Sequence, residues 1–300
     1  MTSKTTQLPS VETLITNAFD RFKDRFLQYL LTIAISVGVN LVVAIALLIL
    51  IGIHVLLYVL TQSVPVVVTV GVITGVLAIV GMFYVSSWIQ LTIIQVITAE
   101  KKPGVIETFK EMRKHSWDYF LVSLLSFFLV FGIVILGIFG FVIPGIVLGF
   151  LWSVWGAFVA YVFLEHKYKG LQNVWASYHI INTHFWGIVG RLLLLGLVIW
   201  LIYGIFLAGA TQYESLSLFA NLLGFVISPF AIAYSYEIYK NLDTNKPDTK
   251  SSMAWIIVSV LGWVILLGGI LFLSSSISEA LPALQEQFER EAILRSTTDI

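Results

Sequence analysis

The chain has 300 residues, is 58% hydrophobic and has only 11% charged residues, with 17 acidic and 17 basic side chains. Average soluble domains contain roughly 25% charged residues, so a soluble fold of this size is excluded. The balanced charge gives no electrostatic argument for nucleic acid as a partner, and the absence of cysteine excludes disulfides and a thiol nucleophile. The composition therefore predicts an all-α, polytopic transmembrane helical bundle.

The first predicted element is an amphipathic helix that leads into a long hairpin. Apolar residues between Val11 and Phe26 recur every three or four positions, which is typical of a helix lying in the membrane interface. Residues 26–99 contain no charged side chain, and the polar segment Thr61 to Pro65 divides them into two spans. Both spans exceed the roughly 20 residues that cross a bilayer, so we expect tilt or projection near Gly52 and His54.

The second hairpin lies in the 46 uncharged residues between Asp118 and Glu165. One helix of that length would measure about 69 Å, which is more than twice the thickness of the hydrocarbon core. Pro144 interrupts helical hydrogen bonding and Gly145 permits a tight reversal, so "GFVIPG" is predicted to be a turn at the far surface. An amphipathic stretch, Val105 to Trp117, precedes this hairpin.

The third hairpin follows an amphipathic stretch from Leu171 to Phe185. Its two spans are "LLLLGLVIWLIYGIFLAGA" and "LSLFANLLGFVISPFAIAYSY", and Pro229 in the second is predicted to form a kink or hinge. A seventh span, "AWIIVSVLGWVILLGGILFL", follows a polar linker. We therefore expect about seven spans.

The order of elements indicates an internal repeat of one amphipathic helix and one transmembrane hairpin. The alternative is that cytoplasmic connectors close to a membrane become amphipathic without any repetition. The predicted organisation is a six-span domain, 1–242, with repeat units 10–99, 103–166 and 169–242; a cytoplasmic linker, 243–252; the seventh span, 253–275; and an extracytoplasmic tail, 276–300.

The basic residues predict the orientation of the spans. All Lys and Arg residues except Arg290 and Arg295 fall on one side of this topology, and the opposite turns carry none. Since positive residues are retained in the cytoplasm, the N-terminus is predicted to be cytoplasmic and the C-terminus extracytoplasmic. We expect a multi-pass protein of a prokaryotic inner (plasma) membrane.

Several short motifs carry a resemblance to a known family. They are an "IPG" turn, a charged connector leading into "FWGIVGR", and a late "SPFAIAYSYEIYKNL" helix. Over about residues 105 to 242 the chain resembles the membrane-domain family attached to some glycerophosphoryl diester phosphodiesterases, and related uncharacterised bacterial six-helix membrane proteins. The catalytic phosphodiesterase barrel is absent from this sequence, so the resemblance implies a membrane domain without that activity.

Ionisable side chains are rare in the predicted spans. Glu214, Glu237 and Arg191 lie near span ends, where solvation at the interface or snorkelling explains them. In a sharper interpretation, Arg191 forms a lipid-headgroup site with Lys167 and Lys169. The five histidines and the acids show no spacing of a metal site or a catalytic set.

These observations predict a non-enzymatic membrane protein with no catalytic residue, metal or cofactor. The leading hypothesis is binding of membrane lipids or of a protein partner, which includes a homo-oligomer. The alternative is a transporter of a neutral or apolar solute, favoured by the repeat, Pro229 and the broken second hairpin. Coupling to ions ordinarily needs buried acids, and none was expected here.

Overall fold

The computed structural model describes residues 8–140, 142–210, 214–242 and 247–298, with side chains described outside 207–221 and 279–298. The described residues form helices and short connections. In chain order the helices are α1 (Val11–Thr61), α2 (Val64–Thr98), α3 (Val105–Gly140), α4 (Val142–Gly156), α5 (Val159–His166), α6 (Gln172–Asn182), α7 (Phe185–Ala210), α8 (Glu214–Lys240) and α9 (Met253–Thr298).

Seven segments of the described chain are long and apolar enough to cross a membrane. Helices α4 and α5 together form one of them, from Val142 to His166, and the short α6 is not among them. The predicted all-α, polytopic bundle of about seven spans is therefore confirmed.

The amphipathic stretches differ from the separate interfacial helices that we expected. The first is the beginning of α1, a continuous helix of 51 residues, and the second is the beginning of the 36-residue α3. Only the third stretch contains a helix of its own, α6. The three stretches therefore do not form three separate interfacial helices, one before each hairpin. An ancestral repeat stays a prediction.

Contacts divide the chain into two compact bodies. The larger body contains the residues up to 126 and 153–251, and the smaller body contains 127–152 and the residues from 252 onward. This division passes through the second predicted hairpin. The observed division reflects which residues pack together, whereas the predicted boundaries of the repeat units reflected the distribution of charge along the sequence. The predicted boundaries stay a prediction.

In the larger body, α1 packs against α2 and α8, and α7 packs against α8. The buried positions of α1 recur at spacings of three, four and seven, as expected for one face of a helix, and several are small or polar. Small side chains allow helices in a membrane to approach closely, where dispersion and hydrogen bonds hold them together. The buried residues of α1 are Leu14, Ala18, Arg25, Tyr29, Thr32 and Ser36.

The α1–α2 hairpin extends far beyond its buried half. Helix α2 alone has 35 residues, which corresponds to about 52 Å, against roughly 30 Å of hydrocarbon. In the distal half of the hairpin, the Nε2 atom of His54 in α1 lies 2.7 Å from the hydroxyl oxygen of Thr74 in α2. This hydrogen bond joins the two helices. The unusual length predicted for both helices is thus confirmed.

In the smaller body, glycines mark the places where helix backbones meet. A Cβ atom on Gly137 of α3 would lie 2.5 Å from the Cα atom of Gly145 in α4. Gly145 therefore permits a close crossing. Helix α4 begins at Val142, so Pro144 lies in its first turn, where proline is tolerated, rather than in a non-helical turn as predicted.

Helix α9 is anchored in this smaller body by contacts with α3. Both the hydroxyl of Ser259 (3.1 Å) and the indole N–H of Trp263 (2.9 Å) donate to the carbonyl oxygen of Phe128. The helix continues past the predicted end of the seventh span, residue 275, to Thr298. The backbone of the predicted tail is thus helical as far as it is described.

Candidate functional site

An open cavity of about 610 Å³, with both polar and apolar walls, lies in the larger body. We call it the inner cavity. Its walls come from α1, α2, α3, α5, α8 and the end of α4. The residues that line it are Asn40, Ser86, Ile89, Gln90, Ile93, Ile94, Tyr119, Gly156, Ala157, Ala160, Tyr161, Ser228, Ala231, Ile232 and Ser235.

The polar groups of the inner cavity are uncharged. Asn40, Ser86, Gln90 and Ser228 are exposed, although they belong to apolar helices. Asn40 uses one amide donor on the carbonyl oxygen of Ser36, at 3.0 Å, whereas the amide of Gln90 makes no hydrogen bond to a described residue. Because such groups are costly to expose to hydrocarbon, their convergence on one cavity indicates water or a polar ligand there.

The cavity wall contains an interruption in the fourth span. Helix α4 ends at Gly156 and α5 begins at Val159, so the backbone at Gly156 and Ala157 meets the cavity. The fully buried hydroxyl of Ser177 donates to the carbonyl oxygen of Trp155, at 2.6 Å. Irregular backbone at membrane depth is tolerated only inside protein or beside a water-filled cavity. Here the hydroxyl of Ser177 satisfies a carbonyl directly before the interruption.

A second helical irregularity lies beside the inner cavity, in α8. Pro229 lies inside α8, directly after the cavity residue Ser228. A proline within a helix removes one backbone hydrogen bond and favours a kink. The inner cavity therefore lies between an interrupted helix and a proline-containing helix, a combination found around the binding sites of many transporters.

A second cavity of about 380 Å³ lies at the end of the larger body where α2, α5 and α8 finish. We call it the end cavity. Its lining residues are Gln95, Thr98, Ala99, Glu100, Tyr161, Leu164, Glu165, Tyr236, Tyr239 and Lys240. Tyr161 lines both cavities, and its hydroxyl donates to the carbonyl oxygen of Ile232, at 3.0 Å. One side chain thus stands between the two spaces.

Charged side chains fix the helix ends beside the end cavity. Arg21 of α1 forms an ion pair with Glu237 of α8, at 2.7 Å, and its guanidinium lies 4.7 Å from the ring centroid of Tyr236. Arg25 donates to the carbonyl oxygens of Ala99 and Glu100, both at 3.0 Å, directly after α2. A cation at a helix C-terminus satisfies free carbonyls and opposes the helix dipole, so Arg25 caps α2.

Burial of Glu237 corrects one interpretation of the sequence. Glu237 was expected to be solvated at the interface, but it is only 5% exposed. The partner that compensates its charge, Arg21, is 216 residues away in sequence. Glu214 falls among the residues whose side chains lie outside the described part of the structure.

The three residues of the predicted headgroup site have different environments. Arg191 donates to the carbonyl oxygens of Leu8 (3.3 Å), Pro9 (2.7 Å) and Gly187 (2.9 Å). Lys167 and Lys169 are exposed in the connection between α5 and α6, with Lys167 in a left-handed conformation. Most donors of Arg191 are thus engaged by backbone, and the headgroup site stays a prediction.

Sequence reasoning did not single out the residues of the inner cavity. A signal was present for some of them, because Asn40 and Gln90 are amide side chains within a long uncharged apolar segment. There was no signal for the pairing of Arg21 with Glu237, which depends on how the hairpins pack. Among the described residues, no three His, Asp or Glu side chains form a group able to hold a metal ion.

Fold and site together define an integral membrane protein made of α-helices, whose larger body contains an open cavity with uncharged polar and apolar walls. Comparison with protein-family models found no match, and comparisons with curated proteins and with solved structures found none either. The resemblance to the phosphodiesterase-associated membrane domains therefore stays a prediction.

Proposed function

We propose that this membrane protein is a non-enzymatic transporter that binds an uncharged, hydrogen-bonding solute in the inner cavity. The observation that carries the proposal is the gathering of uncharged polar side chains between two irregular helices at membrane depth. The volume of about 610 Å³ lies within the range of roughly 300 to 1,000 Å³ that is typical of small-molecule sites.

The chemistry of the cavity favours an uncharged ligand. No Asp, Glu, Lys or Arg is among its lining residues, and a charged group in this surrounding would meet a large desolvation cost. Gln90 and the serines supply both donors and acceptors, which suit hydroxyl or amide groups. Apolar residues such as Ile93 and Ile232 supply the remaining walls.

Lipid binding, the leading hypothesis from sequence, is the second candidate. Two exposed lysines, Lys167 and Lys169, lie in the connection that follows α5, which suits an anionic headgroup. A lipid with an uncharged headgroup is also compatible with the inner cavity itself. We place the protein in a prokaryotic plasma membrane with its N-terminus cytoplasmic, on the distribution of Lys and Arg.

Native mass spectrometry of protein extracted with its surrounding membrane tests both candidates. The informative variant is Gln90→Leu, which removes an amide from the inner cavity. Gln172→Leu is the matched control, because Gln172 is an exposed residue of α6 outside the cavity lining.

A small uncharged adduct that is lost in Gln90→Leu and kept in Gln172→Leu would support solute binding. Uptake of that compound by proteoliposomes would then measure transport. A lipid adduct with the same pattern would favour the lipid candidate. If no adduct depends on Gln90, the inner cavity is not the binding site.

A further inference from the structure

Tyr161 occupies the only position that appears in the linings of both described cavities. It is the third residue of α5, whose first residue is Val159. Its side chain is only 5% exposed, although it borders two open spaces. Tyr161 is therefore the part of the wall that the end cavity and the inner cavity share.

The side chain of Tyr161 contacts α8 as well as Phe158 at the start of its own helix. Its hydroxyl donates to the carbonyl oxygen of Ile232. Its ring centroid lies 5.8 Å from that of Tyr236 and 5.5 Å from that of Tyr239. Hydrogen bonds and aromatic contacts with α8 thus hold the side chain of Tyr161 in place.

Helix α5 is short and begins at the interruption in the fourth span. It has eight residues, and the connection through Ala157 and Phe158 separates it from α4. A change of backbone angles at this connection moves Tyr161 without bending a continuous helix, and hinges of this kind absorb motion in many gated proteins.

We propose that Tyr161 is the gate between the end cavity and the inner cavity. When its hydroxyl leaves the carbonyl of Ile232, the two spaces join, and a solute at the end cavity reaches Gln90 and Ser235. This proposal rests on the proposed function, because that function supplies the solute that would pass the gate. Whether Tyr161 blocks access to the inner cavity is tested separately, and that test does not require the solute to be known.

The natural absence of cysteine makes the test direct. Two reporters are introduced separately: Gln95→Cys in the end cavity and Gln90→Cys in the inner cavity. The probe is a small, positively charged methanethiosulfonate applied to the protein in lipid nanodiscs. It does not dissolve in hydrocarbon, so it reaches Gln90→Cys only through an aqueous path.

We expect Gln95→Cys to react rapidly and Gln90→Cys to react slowly while Tyr161 is present. Tyr161→Phe keeps the ring but loses the hydrogen bond to Ile232. Since one hydrogen bond shifts a two-state population by about fivefold, the reaction of Gln90→Cys should accelerate by about that factor. Tyr161→Ala, which also removes the ring, should accelerate it further.

Tyr84→Phe is the matched control, because Tyr84 lines neither cavity and its hydroxyl, like that of Tyr161, forms a hydrogen bond within the larger body. It should leave the reaction rate of Gln90→Cys unchanged. The gate is refuted if Gln90→Cys and Gln95→Cys react equally fast in the presence of Tyr161. It is also refuted if neither Tyr161 variant accelerates the reaction, or if Tyr84→Phe accelerates it as much as Tyr161→Phe. If native mass spectrometry finds no solute adduct, the labelling test still decides whether Tyr161 is a barrier. If the labelling test refutes the gate, the search for an adduct in the inner cavity is unaffected.

Discussion

Arg21 of α1 donates through Nε to Oε1 of Glu237 in α8 across 2.7 Å, although the residues are 216 positions apart in sequence. Both side chains are largely buried, with 15% and 7% exposed. The same guanidinium donates to the carbonyl oxygen of Thr98 at the end of α2. One arginine therefore ties three helices together beside the end cavity.

Removing one partner of this pair is expected to destabilise the protein strongly. Glu237→Ala leaves the buried guanidinium of Arg21 uncompensated, which costs about 3 to 5 kcal/mol in comparable buried pairs. Replacing both partners by apolar residues, Arg21→Met with Glu237→Leu, should cost much less than Glu237→Ala alone. Equilibrium unfolding in mixed detergent micelles measures both losses.

The pair of Lys102 and Asp24 provides the control, because it is mostly exposed, at 57% and 46%. Lys102→Gln should change the unfolding free energy far less than Glu237→Ala, because solvent screens an exposed ion pair. Equal losses for Glu237→Ala and Lys102→Gln would show that burial does not determine the strength of the Arg21–Glu237 pair.

The interruption between α4 and α5 gives a second prediction. Ser177→Ala removes the hydroxyl that donates to Trp155, in a fully buried position. The variant should lose about 1 to 3 kcal/mol, since a buried carbonyl loses a partner. Hydrogen exchange at residues 156–160 should rise along with the loss of stability.

Ser126→Ala is the matched change within a continuous helix. Its hydroxyl donates to the carbonyl oxygen of Val122 four residues earlier, at 2.6 Å, a contact that adds to ordinary helix bonding. We expect this substitution to be close to neutral. A loss as large as that of Ser177→Ala would contradict a special role for Ser177 at the interruption.

The contact of α3 with α9 gives a third prediction, in the smaller body. A Cβ atom on Gly262 would collide with the carbonyl oxygen of Gly132. Gly262→Ala should therefore separate the two helices or strain them, at a cost of about 1 to 3 kcal/mol. Gly268→Ala, where no atom lies within 4 Å of the added methyl group, should be neutral or slightly stabilising.

Thermal unfolding of both glycine variants in the same detergent tests this contact. Disulfide formation does not complicate the unfolding of either variant, because the chain contains no cysteine. If Gly262→Ala unfolds at the same temperature as Gly268→Ala, the close approach of the two backbones does not contribute to stability.

The spans were predictable because hydrophobic length is a local property of the sequence. The charge-free segment between Asp118 and Glu165 had to contain two crossings, and it forms the distal part of α3 followed by α4 and α5. The position of Pro144 was predicted less well. A proline is compatible both with a loop between two helices and with the first turn of a helix. Packing against the neighbouring helix decides between these two positions, and the sequence does not show that packing.

The candidate site was not predictable to the same degree, because it depends on contacts between hairpins. Pro229 was identified as a kink, but its location beside the inner cavity follows from the packing of α8 against α1 and α7. Likewise, Tyr161 resembles any other tyrosine near the end of a span. Its role depends on Ile232, which is 71 residues further along the chain.

Arg191 provides the last prediction, since two roles for it can be separated. Arg191→Gln should release the backbone at Leu8 and Pro9, because the guanidinium makes hydrogen bonds to both carbonyls. Hydrogen exchange and protease cleavage near Ser10 should then increase. Arg191→Lys should rescue this only in part, because an ammonium lacks the planar fork that reaches two carbonyls.

Lys167→Gln and Lys169→Gln distinguish this structural role from the headgroup site. If Arg191 acts by holding the N-terminal segment, these two variants should leave cleavage near Ser10 unchanged. If all three residues bind one headgroup, each substitution should instead remove the same lipid from the native mass spectrum. Loss of that lipid with unchanged cleavage in Arg191→Gln would overturn the structural role, because the contacts with Leu8 and Pro9 would then hold nothing in place.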